Sequence, residues 1–207
     1  MRKLGVTIII SVFILFTSCT KTTVIDNKSP LNKATIGVDK KDDIKVEAIG
    51  DEIDSYKGVK VYNNGKDYVK NYGKNSSKDG YYYGYKWQCV EFIKRFYYDV
   101  KAHKMPDGFG NAKDFFDVSL KDGALNKKRG LLQFKNGGKT KPESDDLIVF
   151  NDTKYGHVAI VTEVGADYIE IVQQNIYNTP RAKLMLSEKD GNYLLGDTRK
   201  PAGWLRK

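Results

Sequence analysis

Residues 89–100 read Cys89-Val90-Glu91-Phe92-Ile93-Lys94-Arg95-Phe96-Tyr97-Tyr98-Asp99-Val100. Val90, Phe92, Ile93, Phe96, Tyr97 and Val100 recur at helical spacing, while Lys94, Arg95 and Asp99 fill the other face. That pattern predicts an amphipathic helix starting at Cys89. It ends near Val100, because Lys104-Met105-Pro106-Asp107-Gly108 breaks it. Asn111 to Leu120 predicts a second, shorter helix, and Lys135 to Asp145 is a polar loop. Downstream the pattern turns to strands: Leu147–Phe150, His157–Val164 and Tyr168–Asn175, with Ala182–Leu186 and Trp204-Leu205 as edges. Strands joined by short turns pair antiparallel. Helices first and sheet second predict an α+β fold, with N-terminal helices packed on an antiparallel β-sheet.

Upstream, Val59-Lys60-Val61-Tyr62 alternates like a strand and Asn63-Asn64-Gly65 is a turn signal. Tyr81, Tyr82, Tyr83, Tyr85 and Trp87 crowd ahead of Cys89; they line a groove or pack as ordinary core and surface. Thr20 to Ser55 holds no Phe, Tyr or Trp and is rich in Lys, Asp, Asn and Thr. Such a stretch buries little area and reads as a tether. The folded domain then spans 56–207. A chain of 207 residues, 40% hydrophobic, has room for one real core but not for a further cofactor-binding domain.

Arg2 and Lys3 precede a largely apolar run, Leu4 to Phe16, shorter than the roughly 20 residues of a spanning helix and of signal-peptide size. Leu15-Phe16-Thr17-Ser18-Cys19 resembles a bacterial lipobox, with Phe16 replacing the usual aliphatic residue. The resemblance implies a lipoprotein signal over 1–18, a diacylated Cys19, and a tether over 19–55. It also implies a location outside the cytoplasmic membrane, held there by the lipid. The net charge of +9 suits anionic partners such as wall polymers; its scattered lysines argue against nucleic acid. Of the two cysteines, Cys19 is assigned to lipid, so Cys89 has no partner for an internal disulfide.

Cys89 at a helix start meets the positive end of the helix dipole, which favours a thiolate nucleophile. The sequence offers two histidines as its base. His103 lies some 20 Å further along the helix by the 1.5 Å rise, or past its end, and reads as a surface residue. His157 opens a strand at the sheet edge. If Val164 pairs with Tyr168, His157 lies opposite Asn175, and Gln173 and Asn175 share its face, together with Ala159, Val161, Ile169 and Ile171. In the other register Gln174 replaces them as the group that orients the imidazole. No metal-ligand spacing and no glycine-rich phosphate loop is present, so no cofactor is expected.

Trp87-Gln88-Cys89-Val90-Glu91-Phe92, Asp146-Leu147-Ile148-Val149-Phe150, Gly156-His157-Val158-Ala159-Ile160-Val161 and Gln173-Gln174-Asn175 together resemble the CHAP (cysteine, histidine-dependent amidohydrolase/peptidase) family. The Cys segment, with its Tyr85-Lys86 lead-in, resembles the glutathionylspermidine amidases. The resemblance implies a papain-like fold and amide hydrolysis through an acyl-thioester, with Cys89 as nucleophile and His157 as base. It departs from the family at Gln173, where Glu is usual, and at Asp145-Asp146, where Gly-Asp is usual. An amide orients an imidazole but does not support its cation. Three functions follow as expectations: an exported cysteine amidase or endopeptidase acting on peptidoglycan, a hydrolase of a small amide such as a glutathionylspermidine-like conjugate, and a non-catalytic lipoprotein that binds wall peptides.

Overall fold

The structure, a computed structural model, describes residues 48–207. The expected signal over 1–18, the lipidated Cys19 and most of the expected tether lie outside the described residues. Strands β1 (Glu52–Tyr56) and β2 (Val59–Tyr62) form a hairpin, and β3 (Lys74–Ser76) pairs with β4 (Tyr82–Tyr85). Helix α1 (Cys89–Lys101) follows. The remaining strands are β5 (Ala124–Asn126), β6 (Leu131–Lys135), β7 (Leu147–Phe150), β8 (His157–Val164), β9 (Tyr168–Val172), β10 (Arg181–Lys189), β11 (Asn192–Leu195) and β12 (Gly203–Arg206). They build one antiparallel sheet in the order β11-β10-β9-β8-β7-β12-β6-β5. Residues 52–55, read above as tether, are strand: Ile53 and Tyr56 pack on the core, and Asp54 pairs with Arg181 of β10 at 2.6 Å. The aromatic-free composition concealed this, because a two-stranded ribbon needs only every second residue inside.

The sheet is covered on both faces, which explains the unbroken apolar run of β7. On one face Phe92, Ile93, Phe96 and Tyr97 of α1 pack on Leu147, Val149, Val158, Ile160, Val172 and Leu205. The other face gathers Ile148, Phe150, Ala159, Val161, Ile169, Ile171 and Trp204. Fully burying one such side chain stabilises by roughly 1.5–3 kcal/mol, so α1 is fixed to the sheet by several times the energy of any single surface contact.

Two helical expectations need correction. The second helix is only a 3₁₀ turn, Ala112–Phe115. Asn111 and Asp114 close it at the front as a capping box. Gln133 ends it by taking both the Asp117 N–H, at 2.9 Å, and the Asp117 carbonyl, at 2.7 Å, into its side-chain amide. In α1, Lys94 and Arg95 are buried rather than solvated. Lys94 Nζ donates to the carbonyls of Tyr82 and Gly108, so β4 and the loop after the helix cover that face. Burial pulls its pKa down to about 8, aided by nearby Arg129.

The β8–β9 register differs at the turn and agrees at the far end. Val164 pairs with Ile169, not with Tyr168, but a bulge between Val161 and Glu163 restores the expected pairs Val161–Ile171 and Ile160–Val172. Strand β9 stops at Val172, so Gln173-Gln174-Asn175 leave the ladder as a short irregular segment. Asn175 takes a left-handed φ of +69° there, a conformation Asn tolerates better than most residues.

Candidate active site

Cys89 is the first residue of α1, and Gln88 before it is extended, with φ −77° and ψ 157°. The first turn of a helix leaves N–H groups without intrahelical acceptors. The N–H groups of Cys89 and Val90 turn to the thiol, and so does that of Val158 on β8. Cys89 therefore lies against the strand residue that follows His157. Cys89 as a residue is 7% exposed, among Val158, Phe92 and their neighbours. The expected low-pKa thiolate is not what this arrangement stabilises. Burial pushes the Cys89 thiol up to about 11, against the lowering by the three N–H groups. The helix dipole supplies about half a charge, and the loss of hydration around a buried thiolate outweighs it.

His157 begins β8, opposite Phe150 of β7, and its ring packs 6.2 Å from the Phe150 ring. Its Nε2 bonds Gln173 Oε1 at 2.9 Å. The Gln173 amide is oriented by its other end, whose Nε2 donates to the Thr179 carbonyl at 2.9 Å. Oε1 must then accept, so the imidazole carries its proton on Nε2 and leaves Nδ1 as the free base. Burial pulls the His157 pKa down to about 4; the Gln173 bond raises it, Arg199 lowers it and Asp152 raises it. Arg199 and Asp152 are paired at 2.8 Å, with the guanidinium 4.4 Å from the Phe150 ring. No motif in the sequence marks these two, which arrive from separate loops.

Gln174 and Asn175 have other tasks. Gln174 is buried and uses every polar atom. Oε1 accepts from the Tyr62 N–H at 2.8 Å and from Arg95 at 3.3 Å. Nε2 donates to the Gln88 carbonyl at 3.0 Å and to Glu91 Oε2 at 2.8 Å. Glu91 is fully buried and paired with Arg95, and Asn75 donates to its Oε1 at 2.7 Å. Asn175, expected on the His157 face, diverges at its left-handed φ. It donates to Gln88 Oε1 at 2.6 Å and to the Tyr68 carbonyl at 2.9 Å, and accepts from Asn64 at 2.6 Å. Of the three candidates, Gln173 alone meets His157; the other two fasten the start of α1 to the end of β9. His103 is half-buried, not on the surface, and bonds the Arg129 carbonyl at 2.8 Å, away from the site.

The tyrosine cluster divides. Tyr81, Tyr83 and Tyr98 interlock at 5.5–5.7 Å as packing. Tyr82 and Tyr85 turn outward with Phe109, which is 73% exposed.

Residues 80–175 match the CHAP domain model, a stretch that contains Cys89, His157, Gln173 and Asn175. The chain is 32% identical over 161 residues to trypanothione synthetase of Crithidia fasciculata, covering 71% of this chain and 24% of that protein. It is 32% identical over 134 residues to the bifunctional glutathionylspermidine synthetase/amidase of Escherichia coli, covering 58% of this chain and 21% of that protein. It therefore spans about a quarter or less of the length of these relatives. A buried cysteine at a helix start and a histidine opening the adjacent strand both fall within the matched stretch: residues 80–175 are a CHAP domain, the cysteine- and histidine-dependent amidohydrolase domain.

Proposed function

We propose that this protein is a papain-like cysteine amidase or endopeptidase that cuts amide bonds in peptidoglycan from a lipid-anchored position in the cell envelope. The observation that carries the chemistry is the Nε2–Gln173 bond of His157, which leaves Nδ1 unprotonated on the strand that holds the Cys89 thiol. At rest the pair is neutral, since the thiol titrates near 11 and the imidazole near 4. The thiol proton passes to His157 Nδ1 as Sγ attacks the carbonyl carbon. The N–H groups of Cys89 and Val90 then stand beside the developing oxyanion. The imidazolium returns its proton to the leaving amine, the C–N bond breaks, and an acyl-thioester remains. Water, deprotonated by the same Nδ1, releases the acid and restores the thiol.

The envelope target rests on the signal-like run ending at Cys19 and on the basic composition. Hydrolysis of a small amide is the second reading, favoured by the amidase named in one relative. Digestion of purified sacculi, read by mass spectrometry, separates the two. The wild type should release peptide fragments, while Cys89→Ser and His157→Ala should each abolish release with native circular dichroism, and their losses should not add. Sacculi left intact by a protein that cleaves a small amide would favour the second reading. Labelled fatty acid should enter the wild type and not Cys19→Ala.

A further inference from the structure

The loop 66–70 is stapled to the site. Gln88, the residue before Cys89, donates its side-chain amide to the carbonyls of Lys70, at 2.6 Å, and Tyr68, at 3.3 Å. Asn175 also donates to the Tyr68 carbonyl, at 2.9 Å. Lys66 and Lys70 are thereby set beside the start of α1. Lys86 lies three residues before Cys89 and Lys154 three residues before His157, a chain reach of about 10 Å each.

All four ammonium groups sit near aromatic rings. Lys66 lies 5.3 Å from the Tyr177 ring, Lys70 5.6 Å from Tyr72, Lys86 5.7 Å from Trp87 and Lys154 5.2 Å from Tyr155. Among the described residues none of the four is in an ion pair, whereas Lys57, Lys60, Lys101 and Lys104 all are. The nearby carboxylates are Asp67, Asp114 and Asp152, of which Asp152 alone is paired with a cation. Asp67 accepts from the Val69 N–H, Asp152 holds Arg199, and Asp114 accepts from the Asn111 N–H. Tyr68 and Val69, between Lys66 and Lys70, are 63% and 53% exposed.

We propose that Lys66, Lys70, Lys86 and Lys154 form a cationic, aromatic-backed collar around the site that selects amides bearing free carboxylates and disfavours polyamine conjugates. Each of the four lies on the loop stapled to the site or within three residues of Cys89 or His157, so their fields add there. The screening length at physiological salt is about 8 Å, comparable to the roughly 10 Å chain reach from Lys86 to Cys89 and from Lys154 to His157, so these charges act on an incoming substrate. A carboxylate gains from the collar on approach and on binding, and a polyammonium leaving group is repelled. The inference rests on the amidohydrolase reading and separates its two substrate classes by charge.

The test uses the full chain and two amides with one shared acyl group, joined in one to the amine of glutamate and in the other to a diamine. The wild type should prefer the glutamate amide, with a preference that shrinks as salt rises. Replacing all four lysines by Gln should lower kcat/KM on that amide by about tenfold or more, leave kcat at saturation nearly unchanged, and raise kcat/KM on the diamine amide. Lys121→Gln with Lys127→Gln, distant from the site, should change neither. A wild-type preference for the diamine amide, or equal losses in the rim and control variants, would overturn the collar. If the wild type hydrolyses neither amide, calorimetry on Cys89→Ala with each amide decides. Tighter binding of the glutamate amide keeps the collar and counts against the hydrolysis. Equal or tighter binding of the diamine amide removes the collar.

Discussion

At Cys89 and His157 two general rules conflict. A helix start favours a thiolate and burial opposes it, and here burial prevails, with the thiol near 11 and the imidazole near 4. A neutral pair makes a distinctive pH profile. The base works only when unprotonated, so kcat/KM should hold at acid pH until its limb near 4, well below the ordinary histidine value of about 6.5. Iodoacetamide should modify Cys89 more slowly than a free thiol at pH 7, and faster as pH rises toward 11. Rapid alkylation at pH 6 would mean that an ion pair exists at rest. Gln173→Glu places a carboxylate on Nε2, favours the imidazolium and raises the His157 pKa. The acid limb should then move up toward neutrality, while activity at pH 7 holds or rises. Gln173→Met, which keeps the shape but accepts no such bond, should lower activity without unfolding the domain. If instead Gln174→Met left the pH limb displaced and Gln173→Met did not, the orienter would be misassigned.

At the scale of elements, the site is a junction between α1 and β9, and its fastening is the buried set Glu91, Arg95 and Gln174. Removing one partner of a buried pair leaves an uncompensated charge and costs about 3–5 kcal/mol, whereas replacing both by apolar residues is often neutral. Glu91→Met should therefore lower the melting temperature sharply, and Glu91→Met with Arg95→Met should recover much of the loss; scanning calorimetry of the two variants checks this. The sequence made the helix itself legible, through its 3.6-residue period, but not the burial of Lys94 and Arg95 on its polar face. Periodicity reports which residues are apolar, not which polar ones find partners, so Lys94 and Arg95 looked solvated. The strands β7 and β8 were equally plain. The second helix failed because the Gln133 side chain, from a distant strand, competes for the Asp117 backbone, and nothing local announces such competition. The register of His157 and Gln173 was legible by parity, since the bulge near the turn restores the pairing that parity needs. Asp145 shows why a glycine is usual there. Its φ is +75°, and an acid occupies it while bonding Lys57 at 2.7 Å, Lys101 at 3.1 Å and the Tyr56 hydroxyl at 3.0 Å.

For the molecule as a whole, the β1–β2 hairpin ties the parts together. Tyr56 stacks on Phe96 of α1 at 5.5 Å and donates to Asp145 ahead of β7. Asp54 reaches Arg181 on β10. Val59 and Val61 enter the core, and the Tyr62 N–H holds Gln174. The hairpin thus touches the helix, two separate regions of the sheet and the polar fastening of the site. Composition alone placed the boundary of the folded part at Tyr56, which would cut this ribbon in half. Two deletions distinguish the boundaries. Removing residues 20–47 keeps β1 intact and should leave the melting temperature within about 2 °C, a shift expected for about 0.5–1 kcal/mol in a domain of this size. Removing residues 20–55 strips β1 from β2, frees Arg181 from Asp54 and uncovers part of the Val59–Val61 edge. That loss should reach about 2 kcal/mol or more, lowering the melting temperature by about 5 °C or more. Because β2 also holds Gln174, the longer deletion should reduce turnover even below its melting point. Equal stability and turnover in the two deletions would show that β1 is dispensable and that the folded unit begins at Tyr56 after all.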